Sequence, residues 1–277
     1  MVKRPIETLF KTRPDRGQHF LQDSSYVHRI LNLALLEPMD EVIEIGSGLG
    51  ALTIPLTKKV SRVVAIEWDN RLVKYLKDRL SNDIDHVMII KADVMSIDFK
   101  QICKGFSGPP VVIGNLPYYL ATALIQRLLL LDCQFSRMVF MLQKEVAERI
   151  VAKPGTKAYG YLSLMVEYFA EAESLFEIPP SVFKPQPKVQ SSVVRLILRS
   201  EPPVKVIKET NFFQLIKSGF KHRRKTLINA LKLDPQLSSE EIEETCKNTG
   251  FERKVRAEAL TLEDFARLSN ALVSRSL

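Results

Sequence analysis

VIEIGSGLGALT, residues 42–53, is the stretch whose reading decides the fold. A hydrophobic run enters three glycines, Gly46, Gly48 and Gly50, and helix-compatible sequence follows. Glycine lets a chain turn sharply and approach a ligand with no Cβ in the way. The spacing is G-x-G-x-G, which differs from the G-x-G-x-x-G of loops that cradle a pyrophosphate. Outward from it, RVVAI (62–66), VMIIK (87–91) and VVIG (111–114) are further short runs rich in Val and Ile. Strands alternating with helical stretches at this spacing predict βαβ units around a parallel sheet. Two more strands are expected at 137–141 (RMVFM) and 191–198 (SSVVRLIL), and a helix at 143–152. The segment EIPPSVFKPQPKVQ, 177–190, holds four prolines and predicts an extended loop or linker, because proline at this density breaks helix and sheet. Beyond residue 205, Phe212, Ile216, Phe220, Leu227 and Leu231 predict one amphipathic helix. Ser238 with Glu241, and Thr261 with Asp264, predict the starts of two more, and Gly250 the end of the first of these. The expected architecture is an α/β domain over 1–199 and a small all-helical domain over 200–277.

Composition narrows the function classes. The 277 residues are 45% hydrophobic and 26% charged, as in globular chains, which excludes a disordered tail, a collagen or a coiled-coil rod. No segment reaches the roughly 18–20 apolar residues of a bilayer span, so no membrane partner is expected. The opening residues MVKRPIETLFKTRPDRG hold no apolar core of a secretory leader, and Glu7 and Asp15 interrupt the pattern of a mitochondrial presequence. Cys103, Cys133 and Cys246 are far apart in sequence and form no C-x-x-C pair, and the four histidines show no ligand spacing. Neither a disulfide framework nor a metal is expected, and a reducing cytoplasm fits best. We expect a monomer. The 40 Lys and Arg against 32 Asp and Glu, a net charge of +8, point weakly to a polyanionic partner.

Two acids follow the glycine loop at strand ends. Glu67, closing AIEWD, stands where a carboxylate can accept from both ribose hydroxyls. Asp93, in KADVM, could accept from an adenine amine, with a helix N-cap as its rival role. Adenosine without phosphates points to S-adenosylmethionine (SAM). The fourth strand then runs into Asn115-Leu116-Pro117-Tyr118. An adenine amino nitrogen is a poor nucleophile, because its lone pair is delocalised into the ring. The Asn115 side-chain carbonyl and the backbone carbonyl of Leu116 or Pro117 can accept its two N–H groups and favour a pyramidal nitrogen. Pro117 stiffens the loop, and Tyr118 offers a face on which an unstacked base can lie.

With these motifs in order, the chain resembles the small-subunit ribosomal RNA adenine N6,N6-dimethyltransferases, the KsgA family. GQHFLQD (17–23), EIGSGLGALT (44–53), AIEWD (65–69), KADVM (91–95), NLPYYLAT (115–122), FMLQKEVAERI (140–150), IPPSVFKPQPKVQSSVVRL (178–196) and FKHRRKTLINAL (220–231) carry the resemblance across nearly the whole chain. It implies a class I, Rossmann-like SAM-dependent methyltransferase domain followed by a helical domain. It implies dimethylation of two adjacent adenosines in the 3′-terminal hairpin loop of 16S rRNA, with the small ribosomal subunit as partner. It implies that His19, Leu21, Gly46, Gly48, Glu67, Asp93 and Asn115 line the cofactor site, and that Phe183 stacks on the target base opposite Tyr118. Ser47, Trp68, Tyr119 and Ala121 depart from the commoner family residues, and none of them removes a contact group. Two other classes of reading exist: an assembly or transcription factor that kept the fold and lost activity, and a DNA adenine or protein amide methyltransferase. Intact Glu67, Asn115 and Tyr118 argue against the first, and the HRRKTL segment against the second.

That segment places Lys221, Arg223, Arg224 and Lys225 in a stretch with no acid between Asn211 and Leu231. On a helix, Lys221, Arg224 and Lys225 would share one face, while Phe220 and Leu227 turn inward. Phosphate contact is the functional reading, and a solvated face is the alternative.

Overall fold

The four Val- and Ile-rich runs are strands, and their burial explains their composition. In the computed structural model, which describes residues 17–80 and 85–273, a short β1 (Phe20–Leu21) precedes β2 (Glu41–Ile45), β3 (Arg62–Glu67), β4 (Val87–Lys91) and β5 (Val111–Asn115). These are followed by β6 (Arg137–Gln143), β7 (Ala170–Ile178), β8 (Phe183–Lys184) and β9 (Ser191–Leu198). Strands β2, β3, β5 and β6 are buried along almost their whole length, as strands covered on both faces must be. β4 alternates between half-buried and exposed positions at the sheet edge. The sequence expectation about residues 1–16, including Glu7 and Asp15, falls outside the described residues.

The strands form a seven-stranded sheet in the order β4-β3-β2-β5-β6-β9-β7. β4, β3, β2, β5 and β6 pair in parallel, and β9 runs antiparallel to β6. The order reverses between β2 and β5, the switch point beside which open α/β sheets bind ligands. Ile45 lies opposite Gly114 there, and a Cβ on Gly114 would strike the Ile45 carbonyl. Only glycine lets β2 and β5 lie this close.

The sequence pattern missed β7. Its residues, AEAESLFEI, have weak strand propensity, and it forms by pairing at the sheet edge outside β9. The Pro-rich stretch is ordered. Its first two residues end β7, Pro180–Val182 make a 3-10 turn, and β8 pairs antiparallel with β1, setting Phe20 opposite Lys184 and Leu21 opposite Phe183.

The chain packs as two units. One takes in the described residues up to Ala147 together with Glu173–Leu198; the other takes in Glu148–Ala172 together with Arg199 onward. This differs from a single cut at 199, since the helix Tyr161–Phe169 groups with the C-terminal helices. In the second unit Tyr168 and Phe169 meet Phe213, and Tyr159 donates to Leu260 O at 3.0 Å. The Thr261–Asp264 capping box forms, with reciprocal backbone-to-side-chain bonds at 3.1 and 3.2 Å. The continuous helix expected through Leu231 does not form. One helix runs Glu209–Lys221, a turn follows, and a second runs Leu227–Leu231. Leu227 N donates to Val255 O at 2.7 Å, so a tertiary bond fixes where the chain turns.

Among the described residues no helix is long and apolar enough to cross a membrane, and no cluster of three or more His, Cys, Asp or Glu could hold a metal. Cys103 and Cys133 are half-buried and Cys246 is buried, all three as free thiols.

Candidate active site

The candidate site gathers at the C-terminal ends of the parallel strands. Gly46 N donates to Ile66 O at 2.9 Å, and Gly48 N donates to Glu67 Oε2 at 2.9 Å. Asp69 N donates to the other carboxylate oxygen, Oε1, at 2.9 Å. Two backbone amides therefore fix the Glu67 carboxylate, which is 4% exposed, while lone pairs remain on both oxygens. Burial raises its pKa above the ordinary carboxylate value, against the pull of those amides. Gly48 has φ +54°, and a Cβ there would come within 3.2 Å of the Phe20 ring. Phe20 thus covers the glycine loop, a contact the sequence reading did not identify.

Asp69 is the anchor beside Glu67. Arg71 donates to its two carboxylate oxygens at 3.0 and 2.6 Å, and Gln18 Nε2 donates to Oδ2 at 3.2 Å. The Arg71 guanidinium holds the Asp69 carboxyl down at about 2. Asp93 is exposed, and its Oδ1 accepts from Met95 N at 2.9 Å. It therefore closes a turn with one oxygen, and the helix N-cap that was its rival role falls to Asp98, which opens the helix Phe99–Cys103.

Asn115 ends β5 beside Gly46. Its Nδ2 donates to His19 O at 2.8 Å, which leaves Oδ1 free to accept. Leu116 is buried, and its N–H donates to Met141 O at 3.1 Å. Pro117 O already accepts from Leu120 N and Ala121 N at 2.9 and 3.1 Å. Of the two backbone carbonyls left open by the sequence, Leu116 O is thus the one available for a substrate N–H. The Tyr118 hydroxyl shares a 2.7 Å hydrogen bond with the buried Ser191 hydroxyl.

Two expected site residues have their side chains in the core. Phe183 is 4% exposed and packs in a core cluster with Leu21, Val27, Ile30 and Val193. The expectation of Phe183 as an open face opposite Tyr118 is not met, because its pairing with β1 turns the ring into the core. The Leu21 side chain, 7% exposed, belongs to the same cluster, so only its backbone could line a cofactor site.

The basic residues sit at a helix end and in a turn, not along one helix face. Lys221 closes the helix, and Arg223, Arg224 and Lys225 follow in the turn, all exposed. Arg223 donates to Lys157 O at 2.9 Å and Tyr159 O at 3.0 Å and lies 3.7 Å from Glu258. It staples the turn to its own unit.

Gly48, Glu67, Asn115 and the order of strands point one way, and the sequence matches the family described as ribosomal RNA adenine dimethylase over residues 9–274. The chain belongs to the ribosomal RNA adenine dimethylase family. Among the family's relatives, it is 44% identical over 269 residues to a ribosomal RNA small subunit methyltransferase A from Geobacillus sp. (strain WCH70), covering 95% of this chain and 92% of that one. It is 41% identical over 269 residues, with the same coverage, to the protein of that name from Streptococcus thermophilus (strain CNRZ 1066). A dimethyladenosine transferase from Plasmodium falciparum superimposes with a TM-score of 0.76 at 25% identity, over 90% of this chain and 96% of that one. The 23S rRNA methyltransferase ErmE, at 24% identity and TM-score 0.70 over 92% of this chain and 99% of that one, shares the fold.

SAM is the methyl donor of ribosomal RNA adenine dimethylases, and this chain's residues fit it. A buried carboxylate met by backbone amides, and not by a cation, suits neutral hydroxyls and would repel a phosphate.

Proposed function

We propose that this chain is a SAM-dependent rRNA (adenine-N6,N6)-dimethyltransferase. It transfers methyl groups to two adjacent adenosines in the 3′-terminal hairpin loop of 16S rRNA, within the small subunit and as a step in subunit biogenesis. It works as a monomer in the cytoplasm, without a metal. The observation that carries this reading is the Asn115 amide, whose nitrogen is tied to His19 O and whose Oδ1 is thereby left to accept.

Glu67 would hold the cofactor's ribose hydroxyls, Asp93 Oδ2 its adenine amine, and Gly46 and Gly48 would give the backbone room to approach it. When bound, SAM supplies an electrophilic methyl group. Asn115 Oδ1 and Leu116 O accept the two N–H groups of the target adenine. That draws the nitrogen toward a pyramidal geometry and aims its lone pair away from the ring. Tyr118 supports the base by stacking. No side chain needs to remove a proton before attack, because the amine becomes acidic as its bond to carbon forms and then loses the proton to water. Catalysis is positioning and exclusion of water, which can account for several powers of ten. Lys221, Arg224 and Lys225 would meet phosphates.

The test is transfer of tritiated methyl from SAM to unmethylated small subunits, large subunits and DNA in parallel. Label in small-subunit rRNA alone is expected; label in DNA or large subunits, with none in small subunits, overturns the reading.

A further inference from the structure

The family resemblance assigns His19 to the cofactor, but its contacts in this structure run to the substrate loop. The imidazole stacks on the Tyr118 ring with centroids 5.6 Å apart and planes 22° apart. Its Nδ1 lies 2.7 Å from Pro185 O. A carbonyl can only accept, so Nδ1 carries the hydrogen, and the ring can rotate about neither of its bonds without breaking that contact. The backbone carbonyl of the same residue accepts from Asn115 Nδ2. One residue thus touches both groups proposed to meet the target base. Its neighbours fix it in turn. Gln18 is bonded to Asp69 at the end of β3, and Phe20 and Leu21 pair with β8.

We propose that His19 is a positioning residue for the target adenine. Its ring backs one face of Tyr118 so that the base stacks on the other, and its carbonyl turns the Asn115 amide so that Oδ1 faces the amine. The inference rests on the proposed function for its substrate and on the contacts above for its role. At its rim the Tyr118 hydroxyl is tied to Ser191. Without the imidazole its ring has a second face open and can tilt, and the base would tilt with it. Small misplacements of reacting groups cost large factors in rate. With Phe183 committed to the core, His19 supplies the aromatic partner of Tyr118.

His19→Ala and His19→Phe in the full chain separate this role from the alternatives. Phe keeps a backing ring and loses the bond to Pro185. Steady-state methylation of small subunits, SAM calorimetry and NMR of 13C-labelled tyrosine rings are measured for both. His19→Ala should lower kcat by about ten- to a hundredfold while SAM affinity stays within about twofold. His19→Phe should recover most of the lost kcat. The Tyr118 ring signals should move in His19→Ala, while those of Tyr26 stay in place. A His19→Ala protein with weakened SAM binding and normal kcat makes this a cofactor residue and overturns the proposal. So does a His19→Phe protein as slow as His19→Ala. If the unaltered chain transfers no methyl group to small subunits, the proposed function fails, and Tyr118 signals unmoved in His19→Ala would then overturn the His19 role by themselves.

Discussion

In the proposed site Asn115 would act through an oxygen its protein neighbours leave unused, and Glu67 through lone pairs remaining on two oxygens that each already accept one backbone amide. Asn115 spends its nitrogen on His19 O and keeps Oδ1. Replacing it by Ala removes an acceptor and leaves the strand intact. Asn115→Ala should lower methyl transfer about a hundredfold or more with SAM affinity nearly unchanged, as read by single-turnover assay and calorimetry. Glu67→Ala should weaken SAM by about 1–3 kcal/mol, the scale for hydrogen bonds to a charged acceptor. It also removes the acceptor for Gly48 N and Asp69 N, so circular dichroism should accompany the titration. Unchanged SAM affinity in a folded Glu67→Ala chain would take Glu67 out of the site. The place of Asn115 and Glu67 at strand ends was legible in the sequence, because the Val- and Ile-rich runs before them mark the strands. The burial of Phe183 and Leu21 was not. Their burial depends on a two-residue pairing between β1 and β8, more than 160 positions apart, and no local pattern encodes it.

At the scale of elements, the same limit broke the long helix. The apolar spacing from Phe212 to Leu231 is helical, yet the Leu227–Val255 bond and the Arg223 staple impose a turn at HRRKT. The basic residues therefore divide by their contacts, and the proposed phosphate role falls to those that Arg223's staple leaves aside. Arg223→Ala should lower the melting temperature, having lost two carbonyl contacts and an ion pair, by about 1–2 kcal/mol in stability. Replacing Arg224 and Lys225 by Ala should leave stability in place, weaken small-subunit binding and reduce the salt slope by about two. Equal loss of stability in both variants would refute this division. In the sheet, Gly114→Ala should cost about 1–3 kcal/mol in chemical denaturation, because β2 and β5 must separate at the switch point to admit a methyl group. The central strands were legible because burial on both faces demands Val and Ile. β7 was not, because an edge position tolerates its Ala and Glu residues.

Across the molecule, buried acids set how stability follows pH. Burial pushes Glu44 in β2 up to about 7, and its Oε2 has no hydrogen-bond partner among the described residues. Glu67 shifts the same way. A carboxyl whose pKa is higher in the folded chain binds its proton there preferentially. Its favourable contribution is complete below about pH 4.5 and is lost as pH rises through about 7. Asp69, held at about 2, acts in the opposite sense: its contribution is present above about 3.8 and is lost as pH falls toward 2. The cofactor-free chain should thus lose stability between about pH 5 and 8, by up to ~3 kcal/mol from Glu44. Glu44→Gln should flatten that fall in urea unfolding at several pH values, and an unaltered slope would contradict it. The central claim is narrower: one site with two acceptors and no base adds two methyl groups to one nitrogen. Its most direct measurement is mass spectrometry of nucleosides from 16S rRNA, after unmethylated small subunits have reacted to completion with SAM. The account predicts N6,N6-dimethyladenosine at two adjacent positions; monomethyladenosine alone, or no methylated adenosine, would contradict it.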